Sequence, residues 1–102
     1  MVYFFQNALS NLDKATREAE AERIFIDLLK RFSDAGRKVS HKASSPNYAP
    51  KVFAAEAEAK QARLRKIDLE EAMRRLFADK KIVVETYGRP SNPHERIGVK
   101  NA

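Results

Sequence analysis

The sequence contains no cysteine, no tryptophan and only two histidines, His41 and His94. Without cysteine, the chain can form no disulfide, no thiolate nucleophile and no cysteine-ligated zinc site. The histidines lie far apart and match neither an HxH nor an HExxH pattern, and the chain has no GxxxxGK[ST] or GxGxxG loop. We therefore expect no cofactor and no active site. The sequence favours a protein that binds over one that catalyses.

Long apolar segments are also missing. No apolar run approaches the ~18 residues that a membrane-spanning helix needs, and residues 1–6 lack the basic and apolar regions of a signal peptide. We therefore expect a cytoplasmic protein with no membrane partner. The 102 residues, of which 43% are hydrophobic and 33% charged, are typical of one globular domain.

Acidic residues are scarce in the second part of the chain. The whole sequence has 20 Lys and Arg against 14 Asp and Glu. Residues 1–36 carry five basic and six acidic residues, whereas residues 37–102 carry fifteen and eight. A basic surface of this kind favours a polyanion as partner, and DNA is the natural candidate. The alternative is a solvated surface that only keeps the protein soluble.

The first part of the chain predicts a short aromatic segment followed by a long helix. Residues 2–5 are β-prone and predict a strand or an N-terminal arm over residues 1–9. From Ser10 or Asn11 to about Ala35 the apolar residues follow helical spacing and end at Gly36, which is a typical helix terminator. The predicted core positions of this helix are Ala21, Ile24, Phe25, Leu28, Leu29 and Phe32.

The predicted domain spans residues 10–100. After the long helix, its sequence predicts two more helices and a hairpin. After a minimal strand at residues 39–40, one helix begins with Asn47 as its cap, and another begins with Asp68 as its cap and ends near Ala78. Residues 82–87 and 95–100 predict antiparallel strands around a loop at residues 88–93. The fold class is α+β, mainly α. The element order indicates a winged helix-turn-helix with three helices and a C-terminal β-hairpin; other α+β arrangements remain open.

In a winged helix, the third helix and the hairpin, called the wing, face the nucleic acid. Glu70 and Glu71 lie at the start of that helix and have the wrong sign for phosphate. Glu71 is explained as a cap group, and Glu70 as the i+4 partner of Arg74. Small polar residues and two lysines in residues 38–47 could also meet a phosphate, or simply form a turn. The candidate DNA-binding residues are Lys42, Arg63, Arg65, Lys66, Arg74, Arg75, Arg89 and Arg96.

Several runs resemble one known family. They are NYAPKVFA at residues 47–54, LEEAMRRLF at 69–77 and IVVETYGRPS at 82–91, with support from residues 22–29 and 36–40. Together they resemble the C-terminal winged-helix-like region of RecA-like AAA ATPases of prophages and plasmids, the RepA-type replicative group. The resemblance implies a role in phage or plasmid DNA replication and a replication ATPase as a partner. It also implies an upstream ATPase core, which this chain does not contain.

A second hypothesis assigns the protein to a different functional class. Tyr3, Phe4 and Phe5 are three aromatic residues close to one terminus, which is a large apolar area for a small domain to leave in water. They could form the interface of a protein-interaction or oligomerisation module, together with the start of the first helix. A homodimer would also be compatible with DNA binding, because it would present two wings to one duplex.

Overall fold

The structure, a computed structural model, describes the backbone of residues 2–100 and the side chains of residues 14–100. It contains the helices α1 (Val2–Asp34), α2 (Ala49–Ala54), α3 (Ala57–Gln61) and α4 (Lys66–Ala78), followed by the strands β1 (Ile82–Arg89) and β2 (Asn92–Val99). The two strands pair antiparallel, from Ile82 opposite Val99 at the base to Arg89 opposite Asn92 at the tip. The chain is therefore a small α+β protein, mainly helical, with a C-terminal hairpin, which confirms the predicted class.

One face of α1 forms the centre of the core. All six of its predicted core positions are buried. The side chain of Phe53, from α2, is fully buried and lies between the rings of Phe25 and Phe32, with centroid distances of 5.0 and 5.1 Å and edge-to-face geometry. Aromatic pairs prefer this arrangement because the positive ring edge meets the negative ring face. The three rings thereby attach the short helix α2 to the long helix α1.

Three helices end in the same way. At the end of α1, Gly36 has a φ of +75°, and its N–H and the next N–H donate to the carbonyls of Ser33 and Phe32 at 3.0 and 2.8 Å. This is a Schellman motif, so Gly36 terminates the helix as predicted. Arg63 and Lys80 occupy the equivalent position after α3 and α4, with φ values of +57° and +59°. Both are L-residues in a conformation that glycine adopts with less strain.

The predicted strand at residues 2–5 is wrong. These residues belong to α1, which begins at Val2, so the expected boundary between residues 9 and 10 falls within a helix. A strand is stabilised only by a neighbouring strand, whereas a helix that already exists gains a hydrogen bond with each added residue. The side chains of Tyr3, Phe4 and Phe5 lie outside the described residues.

The predicted helix starts also require correction. The second helix begins at Ala49 with Tyr48 as its N-cap, and a break at Glu56 divides it into α2 and α3, giving four helices within residues 2–100. Asn47 does not cap it. The last helix begins at Lys66 and not at Asp68. Asp68 instead caps from within the first turn, because its carboxylate accepts the Arg65 backbone N–H at 2.8 Å, so the cap role expected for Glu71 is also wrong.

The predicted loop at residues 88–93 is mostly strand. The hairpin ladder continues to Arg89 and Asn92, which leaves only Pro90 and Ser91 in the turn. The predicted strand at residues 39–40 is reduced to single contacts: the Ile97 N–H donates to the Val39 carbonyl at 2.9 Å, and Ser40 forms an isolated bridge with Tyr48.

We predict that Phe53→Ala lowers the free energy of unfolding by about 3–5 kcal/mol, because it empties the space between two buried rings. Urea denaturation followed by circular dichroism measures the change. Ile67→Ala is the control, because Ile67 is 45% exposed and its truncation should change stability by no more than about 0.5 kcal/mol. Equal effects of the two substitutions would contradict the central position of Phe53.

Candidate nucleic-acid interface

The segment between α1 and α2, residues 37–48, connects the hairpin with α4; we call it the α1–α2 loop. Its Val39 carbonyl is hydrogen-bonded to β2, as described above. On its other side, the Tyr48 hydroxyl donates to Glu70 Oε2 of α4 at 2.7 Å, and the His41 ring meets the Phe77 ring with a centroid distance of 6.3 Å. The loop therefore makes the hairpin and α4 parts of one continuous surface.

A groove of about 220 Å³ lies between this loop and the hairpin. At one wall, Lys42 Nζ lies 3.0 Å from Glu95 Oε1, and this hydrogen bond and charge lower the pKa of the Glu95 carboxyl below its ordinary value. The other lining residues carry hydroxyl, amide or ring groups. The full lining consists of Ser40, Lys42, Ser45, Asn47, Tyr87, Pro93, His94 and Glu95.

The hairpin contributes an aromatic pair with a cation above it. The rings of Tyr87 and His94 are stacked with their centroids 5.5 Å apart, and Lys38 Nζ lies 4.8 Å from the centroid of the Tyr87 ring. Gly88 allows this packing: its φ is +94°, and a Cβ there would lie 3.2 Å from both His94 Cδ2 and the Asn92 carbonyl oxygen. A side chain at position 88 would therefore be strained and would crowd the His94 ring.

Tyr48 links the groove to the exposed side of α4. Tyr48 is only 4% exposed, and burial together with the hydrogen bond to Glu70 raises its pKa to about 12. Lys66 Nζ lies 5.6 Å from the ring centroid. Glu70 is thus the acceptor of a buried phenol. The expected ion pair between Glu70 and Arg74 does not occur in the described part of the chain.

Four of the predicted DNA-binding residues are held in ion pairs. Lys42 pairs with Glu95 in the groove, Arg65 Nε lies 3.3 Å from Asp68 Oδ2, and Arg96 Nε lies 3.2 Å from Glu85 Oε1 across the hairpin. The fourth is Arg75.

Arg75 does not face outward as predicted. Its Nε donates to Glu22 Oε2 of α1 at 2.9 Å, and its Nη2 reaches the Glu18 carbonyl at 3.4 Å. Its guanidinium therefore attaches α4 to α1, because the position two helical turns after Asp68 lies on the side of α4 that packs against α1. Among the described residues, the predicted cations without an ion pair are Arg63, Lys66, Arg74 and Arg89.

From the sequence, Lys38 is a candidate phosphate contact, but its position together with Tyr87 and His94 was not predicted. A signal was available, because Tyr87 and His94 are equally far from the turn at Pro90 and Ser91 and must therefore face each other in a two-residue hairpin. The position of Lys38 had no such signal, since it depends on how the α1–α2 loop crosses the sheet.

Comparisons with protein-family models, with curated proteins and with solved structures found no match to this chain. Within residues 14–100, no group of three or more His, Asp and Glu side chains is arranged to hold a metal ion. No helix in the described part of the chain combines the length and apolar character needed to cross a bilayer.

We predict that Tyr48 makes stability sensitive to alkali. Because its pKa is about 12 in the folded chain and about 10 when unfolded, its contribution is complete below pH 10 and is lost as the pH rises toward 12. The wild type should lose up to roughly 2–3 kcal/mol over this interval relative to Tyr48→Phe. Urea midpoints at a series of pH values measure the loss.

Tyr87→Phe is the matched control for this experiment, because it removes a hydroxyl from a tyrosine in the groove and leaves Tyr48 in place. As the pH rises from 10 to 12, the Tyr87→Phe variant should lose as much stability as the wild type does, and both should lose more than Tyr48→Phe. Parallel pH profiles for the wild type and Tyr48→Phe would show that the Tyr48 hydroxyl is not held in its neutral form.

Proposed function

We propose that the chain is a winged-helix DNA-binding module whose contacts are directed mainly to phosphates. In this assignment α2, α3 and α4 form the helix-turn-helix, α4 is the recognition helix and the β1–β2 hairpin is the wing. The single observation that carries the proposal is the groove between the α1–α2 loop and the hairpin. It brings two lysines, one of them paired with Glu95, hydroxyl and amide groups and a stacked aromatic pair together just before α2.

The groups in and beside this groove suit a phosphate backbone. Lys38 supplies positive charge, the charge of Lys42 is balanced by Glu95, and Ser40, Ser45 and Asn47 supply short polar side chains. Most protein–DNA hydrogen bonds are made to phosphate oxygens by side chains of these types, and they position the protein without reading sequence. This composition supports weakly sequence-specific binding.

The exposed side of α4 carries charges of both signs. Arg74 is exposed, and its neighbour Glu70 is already engaged by the Tyr48 hydroxyl. Glu95 is similarly engaged by Lys42. The ion pair therefore balances the charge of Glu95, whereas Glu70 and the exposed Glu71 keep their negative charge. Arg74 and the tip residue Arg89 have no ion pair among the described residues and can neutralise phosphate. The proposed role in phage or plasmid replication, with a replication ATPase as partner, is based on the sequence resemblance.

We predict strongly salt-dependent binding to a fluorescein-labelled DNA duplex of arbitrary sequence, measured by fluorescence anisotropy at several salt concentrations. The triple variant Lys38→Ala, Arg74→Ala, Arg89→Ala should bind more weakly. Its plot of log K against log salt should be shallower by about 0.9 for each phosphate that the variant no longer neutralises.

The matched control removes the same charge from the other end of the hairpin, through Lys80→Ala, Lys81→Ala and Lys100→Ala. It should keep most of the affinity and a slope close to that of the wild type. The proposal is wrong if the wild type does not bind at low salt, or if the two triple variants lose affinity equally.

The second candidate function is self-association through the start of α1. This helix has 33 residues and is therefore about 50 Å long. Its first described ion pair with α4 joins Arg17 to Asp68, at 3.9 Å. The aromatic residues 3–5 lie more than three helical turns before this point. Because they are helical and not extended, a second copy would pair with them by helix packing and not by strand addition.

We predict that the wild type sediments as a dimer and that Tyr3→Ser, Phe4→Ser, Phe5→Ser sediments as a monomer in analytical ultracentrifugation. The variant should still unfold cooperatively in urea, since the substituted residues precede the core positions of α1. A monomeric wild type, or a variant with unchanged mass, would exclude this function.

A further inference from the structure

A shallow depression of about 430 Å³ lies at the base of the hairpin, at the far end from the wing tip. Its apolar lining, which we call the floor, consists of Ile26 of α1 and Val99 of β2, both half-buried and both packed against the core. Lysines at positions 80, 81 and 100 surround the floor, together with Asp79. The base at Ile82 and the tip at Arg89 are seven residues apart along β1, a distance of about 24 Å. The depression is therefore distinct from the groove between the α1–α2 loop and the hairpin.

Backbone hydrogen bonds place the lysines beside one another. The Schellman motif at the end of α4 directs the N–H of Lys81 to the Leu76 carbonyl at 2.9 Å. The Lys81 carbonyl then accepts the N–H of Lys100 at 3.0 Å, which brings the residue after β2 alongside the residue before β1. The fold therefore fixes the backbone positions that carry these lysines.

Lys80 occupies a position where glycine would be less strained. Its φ of +59° is equivalent to that of Gly36 at the end of α1. An L-residue in this conformation is disfavoured by about 1–2 kcal/mol, so the chain retains a lysine here at some expense of stability. Among the described residues, none of the three lysines of the cluster forms an ion pair.

We propose that this depression is a docking site for an acidic peptide segment of a partner protein, with an aliphatic side chain of that segment seated on Ile26 and Val99. The lysines supply complementary charge, and the apolar floor supplies a contact that a phosphate backbone could not use. This distinction favours a peptide over nucleic acid at the base of the hairpin. The proposal does not depend on DNA binding at the groove.

The test uses the full chain, labelled with ¹⁵N, and a synthetic peptide of aspartate and glutamate with interspersed leucines. Titration should shift the amide signals of Ile26, Lys80, Lys81, Val99 and Lys100 in NMR spectra. The same peptide with serine in place of leucine should bind about tenfold more weakly, because the floor then has no apolar side chain to pack against. Lys81→Ala and Lys100→Ala should each weaken binding of the leucine peptide about two- to fivefold.

Lys80→Gly separates binding from folding. It relieves the strain of the positive φ and should therefore raise the urea midpoint. Because it also removes an ammonium group, it should weaken binding of the leucine peptide about two- to fivefold. Three outcomes would overturn the proposal: no shifts at the base, equal affinity for the leucine and serine peptides, or a DNA duplex that shifts the base amides more strongly than the peptide does.

Discussion

The rest of the fold depends on the insertion of Phe53 between Phe25 and Phe32. A single long helix cannot bury its own apolar face, and α2 is too short to be stable alone. The three rings solve both problems, because the buried aromatic area holds α2 against α1 while α4 covers the remainder of the face. The α1–α2 loop is thereby fixed at both ends, and its polar residues are held against the hairpin in the geometry of the groove.

Ion pairs and unpaired cations serve different purposes in the described part of this protein. Arg75 with Glu22 joins α4 to α1, and Lys42 with Glu95 joins the α1–α2 loop to the hairpin. Such partly exposed pairs contribute little stability individually, but they fix the orientation of the elements. Both ends of the hairpin also carry cations, and the groups around them differ. Hydroxyl groups, amides and stacked rings line the groove between the α1–α2 loop and the hairpin. The depression at the base of the hairpin instead has an aliphatic floor beneath Lys80, Lys81 and Lys100.

Particular residues show where sequence patterns were informative. The apolar spacing of α1 and the stop at Gly36 were both predicted, because they follow from helical periodicity and from the conformational freedom of glycine within a few residues. Helix starts were predicted poorly. Asn47 has the side chain of a cap but donates its amide to the Lys38 carbonyl, nine residues away, at 3.0 Å. Competition between local and distant partners of this kind is not visible in the sequence.

By itself, the sequence determined the α+β class, the buried face of α1, the hairpin and the excess of positive charge in the second part of the chain. Each of these depends on the composition or periodicity of neighbouring residues. The tertiary structure decided which charges are available. It pairs Arg75 with Glu22 of α1, directs the Tyr48 hydroxyl to Glu70 and places Lys38 over the Tyr87 ring. The partners of the first two contacts are 53 and 22 residues apart in the chain, so only the packing of whole elements brings them within hydrogen-bonding distance.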